Sequence, residues 1–155
     1  MLAAARVFFA GLVYCCGIVL VPAPSLAQEL VPGDPQGGNV QIFRNPRETV
    51  IVISRVGPLD KQGGSMALGN FPGQVKQALE NLRGTAIRAG VLPSQIVTIT
   101  VFTPETTDVE AVKKMTREFS SDWNPLTAVE TRPLSIVGAL VEIEAVAIAR
   151  EAKPR

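Results

Sequence analysis

Hydrophobic and polar positions alternate most clearly in residues 140–149, LVEIEAVAIA. Successive side chains of a strand point to opposite faces, so Val141, Ile143, Ala145 and Ala147 share one side, and Glu142, Glu144, Val146 and Ile148 share the other. The first face is wholly apolar and belongs in a core. The second begins with two carboxylates and ends apolar. A carboxylate among apolar neighbours needs a hydrogen-bond or charge partner, so chemistry or binding is sought first on this face. The plainer alternative is that both glutamates are solvated at a sheet edge.

Earlier in the chain, residues 28–39 hold two Pro and three Gly and are expected to form a flexible lead-in. Residues 40–44 predict a short strand, and residues 48–54, ETVIVIS, a strong one that is apolar on both faces. A Gly-rich loop over 55–69 leads to Asn70, a helix cap, with Pro72 at a position where a missing amide hydrogen is tolerated. Val75, Ala78, Leu79, Leu82 and Ala86 then recur at helical spacing, Lys76, Gln77, Glu80 and Arg83 face away, and Gly90 closes the helix. Residues 96–103, IVTITVFT, predict a strand with Val97, Ile99 and Val101 on one face. Asp108 caps a second helix from residue 109 to about 119, with Val112, Met115 and Phe119 on its apolar stripe. A loop with Trp123, Asn124 and Pro125 precedes a strand over 126–132.

The predicted order is β-β-α-β-α-β-β, an α+β fold with two helices on one face of a mixed sheet. The opposite face stays apolar at residues 50–53 and at Val146 and Ile148, which predicts burial against another subunit.

The first 27 residues read differently. Arg6 is their single charge, residues 7–21 are almost wholly apolar, and the small residues Ser25 and Ala27 follow. This pattern predicts a secretory signal peptide over 1–27, cut between Ala27 and Gln28, and a secreted or periplasmic protein. The apolar run falls short of the roughly 20 residues of a spanning helix, so no stable membrane anchoring is expected once it is removed. Cys15 and Cys16 lie inside it, after Leu12, Val13 and Tyr14 rather than the small residues of a lipoprotein site. The expected divisions are thus a leader at 1–27, the lead-in at 28–39, one domain at 40–150 and a tail at 151–155.

Charge and composition narrow the chemistry. The chain has 15 basic and 14 acidic groups, and Arg6 alone falls within the leader, so the remainder is neutral. That balance argues against nucleic acid or an anionic membrane as a partner. Beyond residue 27 there is no Cys, His or Tyr. Thiol nucleophiles, Ser-His-Asp triads, zinc sites built from Cys or His, and disulfides are therefore excluded, and no metal or cofactor is expected. Carboxylates, lysines, arginines, hydroxyls and backbone amides remain.

Four segments, VIVIS at 50–54, QVKQALENL at 74–82 with AG at 89–90, IVTITVF at 96–102 and GALVEIEAVA at 138–147, stand in this order. Together they make the chain resemble the RidA/YjgF family, small enamine/imine deaminase-like proteins with a chorismate-mutase-like fold. The resemblance implies a homotrimer with ligand clefts between subunits, and small carboxylate-bearing imines or enamines as substrates. It also implies that Glu142 is the acid on the last strand that positions or activates water, an exchange a carboxylate of suitable basicity performs.

The family's substrate-binding arginine lies in a Pro-Ala-Arg-Thr-x-Val pattern, and this chain reads Pro125-Leu126-Thr127-Ala128-Val129. Leu126 stands at the arginine position, which replaces a bidentate cation by an apolar wall. Arg132, roughly 20 Å further along an extended strand, is expected to lie too far away to take over. Ser54 is retained, Arg55 replaces the family's Gly after it, and Lys113 replaces the asparagine expected in the second helix, so the resemblance makes Ser54, Arg55, Lys113 and Leu126 the expected ligand-binding residues; the Gly-Pro-Tyr-Ser-Gln stretch near the family's N-terminus is absent. Arg55 is the one charge placed to approach the site from a new direction, against the plain reading of an exposed loop arginine.

The favoured expectation is a small-molecule-binding protein with deaminase activity lost or altered, and the alternative is a working 2-iminobutanoate/2-iminopropanoate-type deaminase using Glu142. Some relatives are described as endoribonucleases. The neutral charge, a single Lys113–Lys114 pair and only Phe43 and Phe102 as strand aromatics point away from RNA here.

Overall fold

The computed structural model describes residues 27–34, 36, 38–121 and 124–150; the leader apart from Ala27, the loop residue Trp123 and the tail lie outside them. The elements are β1 (Ala27–Asp34), β2 (Gly38–Arg44), β3 (Glu48–Val56), α1 (Phe71–Arg88), β4 (Ile96–Thr103), α2 (Val109–Phe119), β5 (Leu126–Thr131) and β6 (Glu142–Arg150). They form one six-stranded sheet in the order β1-β2-β3-β6-β4-β5. Neighbours are antiparallel except β4 and β5, which run parallel because α2 carries the chain back between them. The α+β fold with a mixed sheet and two helices is the one the sequence predicts.

Both helices begin where their caps place them. The Asn70 side chain accepts a hydrogen bond from the Gly73 amide at 3.1 Å, and Asp108 accepts from the Ala111 amide at 3.0 Å. At the end of α1, Gly90 takes a left-handed φ of 73°, and the Val91 amide returns to the Ala86 carbonyl at 2.8 Å, a Schellman closure. Val75, Ala78, Leu79, Leu82 and Ala86 of α1 and Val112 of α2 form one buried cluster with Ile51, Ile53, Ile99, Val101, Ile143, Ala145 and Ala147 of the sheet and Val141 just before β6. The opposite sheet face carries Val50, Val52, Val146 and Ile148, all half-buried, with Val52 opposite Val146 and Val50 opposite Ile148.

Three features depart from the sequence reading. Residues 28–34 of the expected lead-in join β1, which pairs antiparallel with β2. In β3 the pairing slips between Ile53 and Val56, so Arg55 takes a φ of 61° and points outward while Val56 returns to the core. Gly38 lies against this bulge: a Cβ there would stand 2.1 Å from the Ser54 carbonyl oxygen, so the hairpin needs glycine at that position.

The third departure is in β4, where a register shift between Ile96 and Thr98 puts Ile96, rather than Val97, into the core. Ile96 is 2% exposed and Val97 40%. Ile96→Ala is therefore expected to cost about 2–4 kcal/mol, as for buried aliphatic truncations, and Val97→Ala less than about 1 kcal/mol. Urea unfolding of the two variants checks this, and equal losses would contradict the bulge.

Candidate functional site

Glu142 opens β6 and is 1% exposed. In the sheet it lies beside Phe102 of β4, which in turn lies beside Glu130 of β5. The loop between β5 and β6 folds back over the carboxylate. Oε1 of Glu142 accepts hydrogen bonds from the Ser135 amide, the Ser135 hydroxyl at 2.7 Å and the Ile136 amide at 2.9 Å. Oε2 faces Nη2 of Arg132 at 3.7 Å. The Arg132 guanidinium is stacked on Phe102, 3.5 Å from the ring centroid, a cation–π arrangement that fixes its orientation. Phe102 is only 6% exposed and lies beneath that cation, so it offers no free stacking face. Arg55 completes the cluster, its Nε donating to the Ser135 hydroxyl at 3.2 Å.

The far end of the same loop is held by Gln74 of α1, which is fully buried. Its Nε2 donates to the carbonyls of Met66 and Gly138, both at 3.1 Å, and its Oε1 accepts from the Leu140 amide at 2.6 Å. Two buried polar side chains thus pin one loop at both ends. Oε1 of Glu142 is occupied by three donors from this loop, and Oε2 is turned towards the Arg132 cation, with almost none of the side chain open to solvent.

The expected site residues fall into two groups. Arg55 and Glu142 are joined through Ser135, and Ser54 sits half-buried at the adjoining bulge. Leu126 lies elsewhere. It is 74% exposed and pairs with Thr98, whereas Glu142 pairs with Phe102. Four residues along a strand correspond to roughly 13 Å, so one chain does not place Leu126 opposite Glu142.

Leu126 instead shares a pocket of about 400 Å³ with Lys113, Arg117, Asn124, Pro125 and Thr127. Lys113 is bound to Glu110 at 3.2 Å. The expectation that Arg132 lies too far along the strand to serve the site is corrected: it is remote from Leu126, but it follows Thr131, which pairs with Thr103 at the level of the carboxylate, and its guanidinium faces Glu142. Sequence reasoning missed Ser135, Arg117 and Asn124. Arg117 was readable as the residue four after Lys113 on one helix face. Ser135 carries no such signal, because its position depends on how an irregular loop folds back.

Comparison with known proteins agrees with this architecture. The family model described as Endoribonuclease L-PSP matches residues 35–149. The chain belongs to this family. It is the RidA/YjgF group that the sequence motifs resemble. Among curated relatives, the mitochondrial protein mmf1 of Schizosaccharomyces pombe is 33% identical over 100 residues, covering 63% of this chain and 62% of that protein. The chain thus spans less than two thirds of that relative's length. A RutC family protein of Pyrococcus horikoshii is 29% identical over 91 residues, covering 58% of this chain and 71% of its own.

The crystal structure of the YjgF gene product from E. coli superposes with a TM-score of 0.56 at 25% identity, covering 65% of this chain and 81% of that one. A Rid-family protein of unknown function from Yersinia pestis gives a TM-score of 0.63 at 20% identity, covering 78% and 98%, a likeness of fold.

Proposed function

We propose that this L-PSP family member binds a small metabolite in a cleft shared between copies of the chain, with imine or enamine hydrolysis lost or altered. The observation that carries this reading is Leu126. It stands where the family's Pro-Ala-Arg pattern has its arginine, and within the chain it lies about four strand positions from Glu142. A cleft containing both residues needs two chains. The half-buried aliphatic face at Val50, Val52, Val146 and Ile148 supports such an assembly, as burial of that surface would favour association. The proposal includes a homotrimer acting outside the cytoplasm after removal of residues 1–27. The alternative, a working imine deaminase using Glu142, is favoured by one observation, the Arg132 guanidinium beside the carboxylate.

Ammonia release from freshly generated 2-iminopropionate separates the two. The unsubstituted chain is expected to release none above buffer, and Leu126→Arg is expected to gain hydrolysis or to change which metabolites raise the melting temperature. Hydrolysis by the unsubstituted chain supports the alternative. If Leu126→Arg alters neither property, or light scattering at micromolar concentration gives the mass of one chain, the shared cleft is wrong.

A further inference from the structure

We propose that the groove between α1 and α2 is a second binding site, one that takes a free α-amino acid with an apolar side chain. The cavity measures about 300 Å³, at the small end of metabolite sites, and is lined by Pro72, Lys76 and Leu79 of α1 and by Met115, Glu118 and Phe119 of α2. The spacings i, i+4, i+7 on α1 and i, i+3, i+4 on α2 put each set on one helix face. The site lies in the helix layer. Glu142 alternates with the core residue Ile143 and so lies on the other face of the sheet, which makes this groove separate from the cleft proposed above.

The floor of the groove is apolar and its rim is charged. Leu79 is buried, and Met115 and Phe119 are half-buried against the same core, so an aliphatic side chain laid on them leaves water and extends that packing. At the rim, Lys76 and Glu118 bring opposite charges from different helices, both exposed, yet they form no ion pair with each other, and Lys76 pairs with no acid among the described residues. Glu118 has Lys114 at 3.8 Å. Helix energetics do not account for Glu118. It stands in the last turn of α2, where the helix dipole disfavours a carboxylate, and it follows its lysine by four residues, the weaker order for such a pair. A zwitterion answers both rim charges at once, with its carboxylate on Lys76, its ammonium on Glu118 and its side chain on the floor. A plain carboxylate would bring like charge beside Glu118, and a plain amine beside Lys76, so the rim selects against both.

The test is NMR titration of the isotope-labelled full chain with four probes: L-leucine; 4-methylpentanoate, which is leucine without its ammonium; 3-methylbutylamine, which is leucine without its carboxylate; and glycine, which lacks the side chain. Leucine is expected to shift the signals of Lys76, Met115 and Glu118, and the other three probes to bind more weakly. Lys76→Gln and Glu118→Gln are each expected to weaken leucine about threefold, the scale of an exposed charge contact. Their selectivities should move in different directions: Glu118→Gln narrows the gap between leucine and 4-methylpentanoate, and Lys76→Gln the gap between leucine and 3-methylbutylamine. Any of the three analogues binding the unsubstituted chain as tightly as leucine would overturn the inference. So would leucine binding unchanged in both variants, or leucine shifts that are absent from the groove.

Discussion

Glu142→Ala is expected to destabilise the protein by about 2–4 kcal/mol, because it truncates a buried side chain and removes the acceptor of three hydrogen bonds from a part-buried loop whose freed donors regain some water. The substitution strands the Ser135 and Ile136 amides and the Ser135 hydroxyl, all of which now donate to one carboxylate oxygen. It also leaves Arg132 stacked on Phe102 with no anion beside it. Glu142→Gln is the informative companion. An amide oxygen still accepts from the loop, so only the ionic contact at 3.7 Å is lost, and a cost of about 1–2 kcal/mol is expected. Urea unfolding of both variants measures the difference. If alanine and glutamine cost the same, the loop does not depend on the carboxylate as an acceptor. The same pair separates structure from chemistry, because ligand binding or turnover lost in the folded glutamine variant assigns Glu142 a role beyond holding the loop.

The second large effect is expected at Gln74. Gln74→Leu keeps a side chain of similar size in a fully buried position and removes three hydrogen bonds that join two loops to α1. Stranding the Met66 and Gly138 carbonyls and the Leu140 amide should cost about 3 kcal/mol, the lower part of the range summed over three groups that regain some water when the loops relax. Hydrogen exchange gives a sharper readout than the global midpoint: the Leu140 amide should lose its protection while amides in the middle of β6 keep most of theirs. An unchanged exchange rate at Leu140 would mean that Gln74 does not hold the loop.

Local rules made much of this fold legible. Asn70 and Asp108 cap their helices through their own side chains, Gly90 ends α1, and the alternation of β6 sends Ile143, Ala145 and Ala147 inward, with Val141 buried just before the strand begins. What was not legible depends on partners distant in sequence. Residues 28–34 carry the composition of a loop and become a strand because β2 offers an edge to pair with. The bulges at Arg55 and Val97 shift which side chain enters the core, and a strict two-residue period has no way to register an inserted residue.

The site was half legible for the same reason. Glu142 stood out as a carboxylate on a strand with an apolar flank, and Lys113 and Leu126 do share a pocket. The partners of Glu142 were hidden because Ser135 reaches it through an irregular loop. Arg132 was hidden because distance along β5 was reckoned from Leu126, whereas cross-strand register decides which residues meet.

The sheet order also bears on how the polypeptide acquires its structure during synthesis. β6 follows every other described strand in the chain, yet it lies between β3 and β4. Until residues 142–150 leave the ribosome, the earlier segments can form only two separate ribbons, β1-β2-β3 and β4-β5, each with a bare edge awaiting the same insert. Such edges are templates for pairing with the wrong chain. Ribosomes translating this message therefore carry a nascent species open to intermolecular strand exchange, and chaperone shielding matters most just before the final strand emerges.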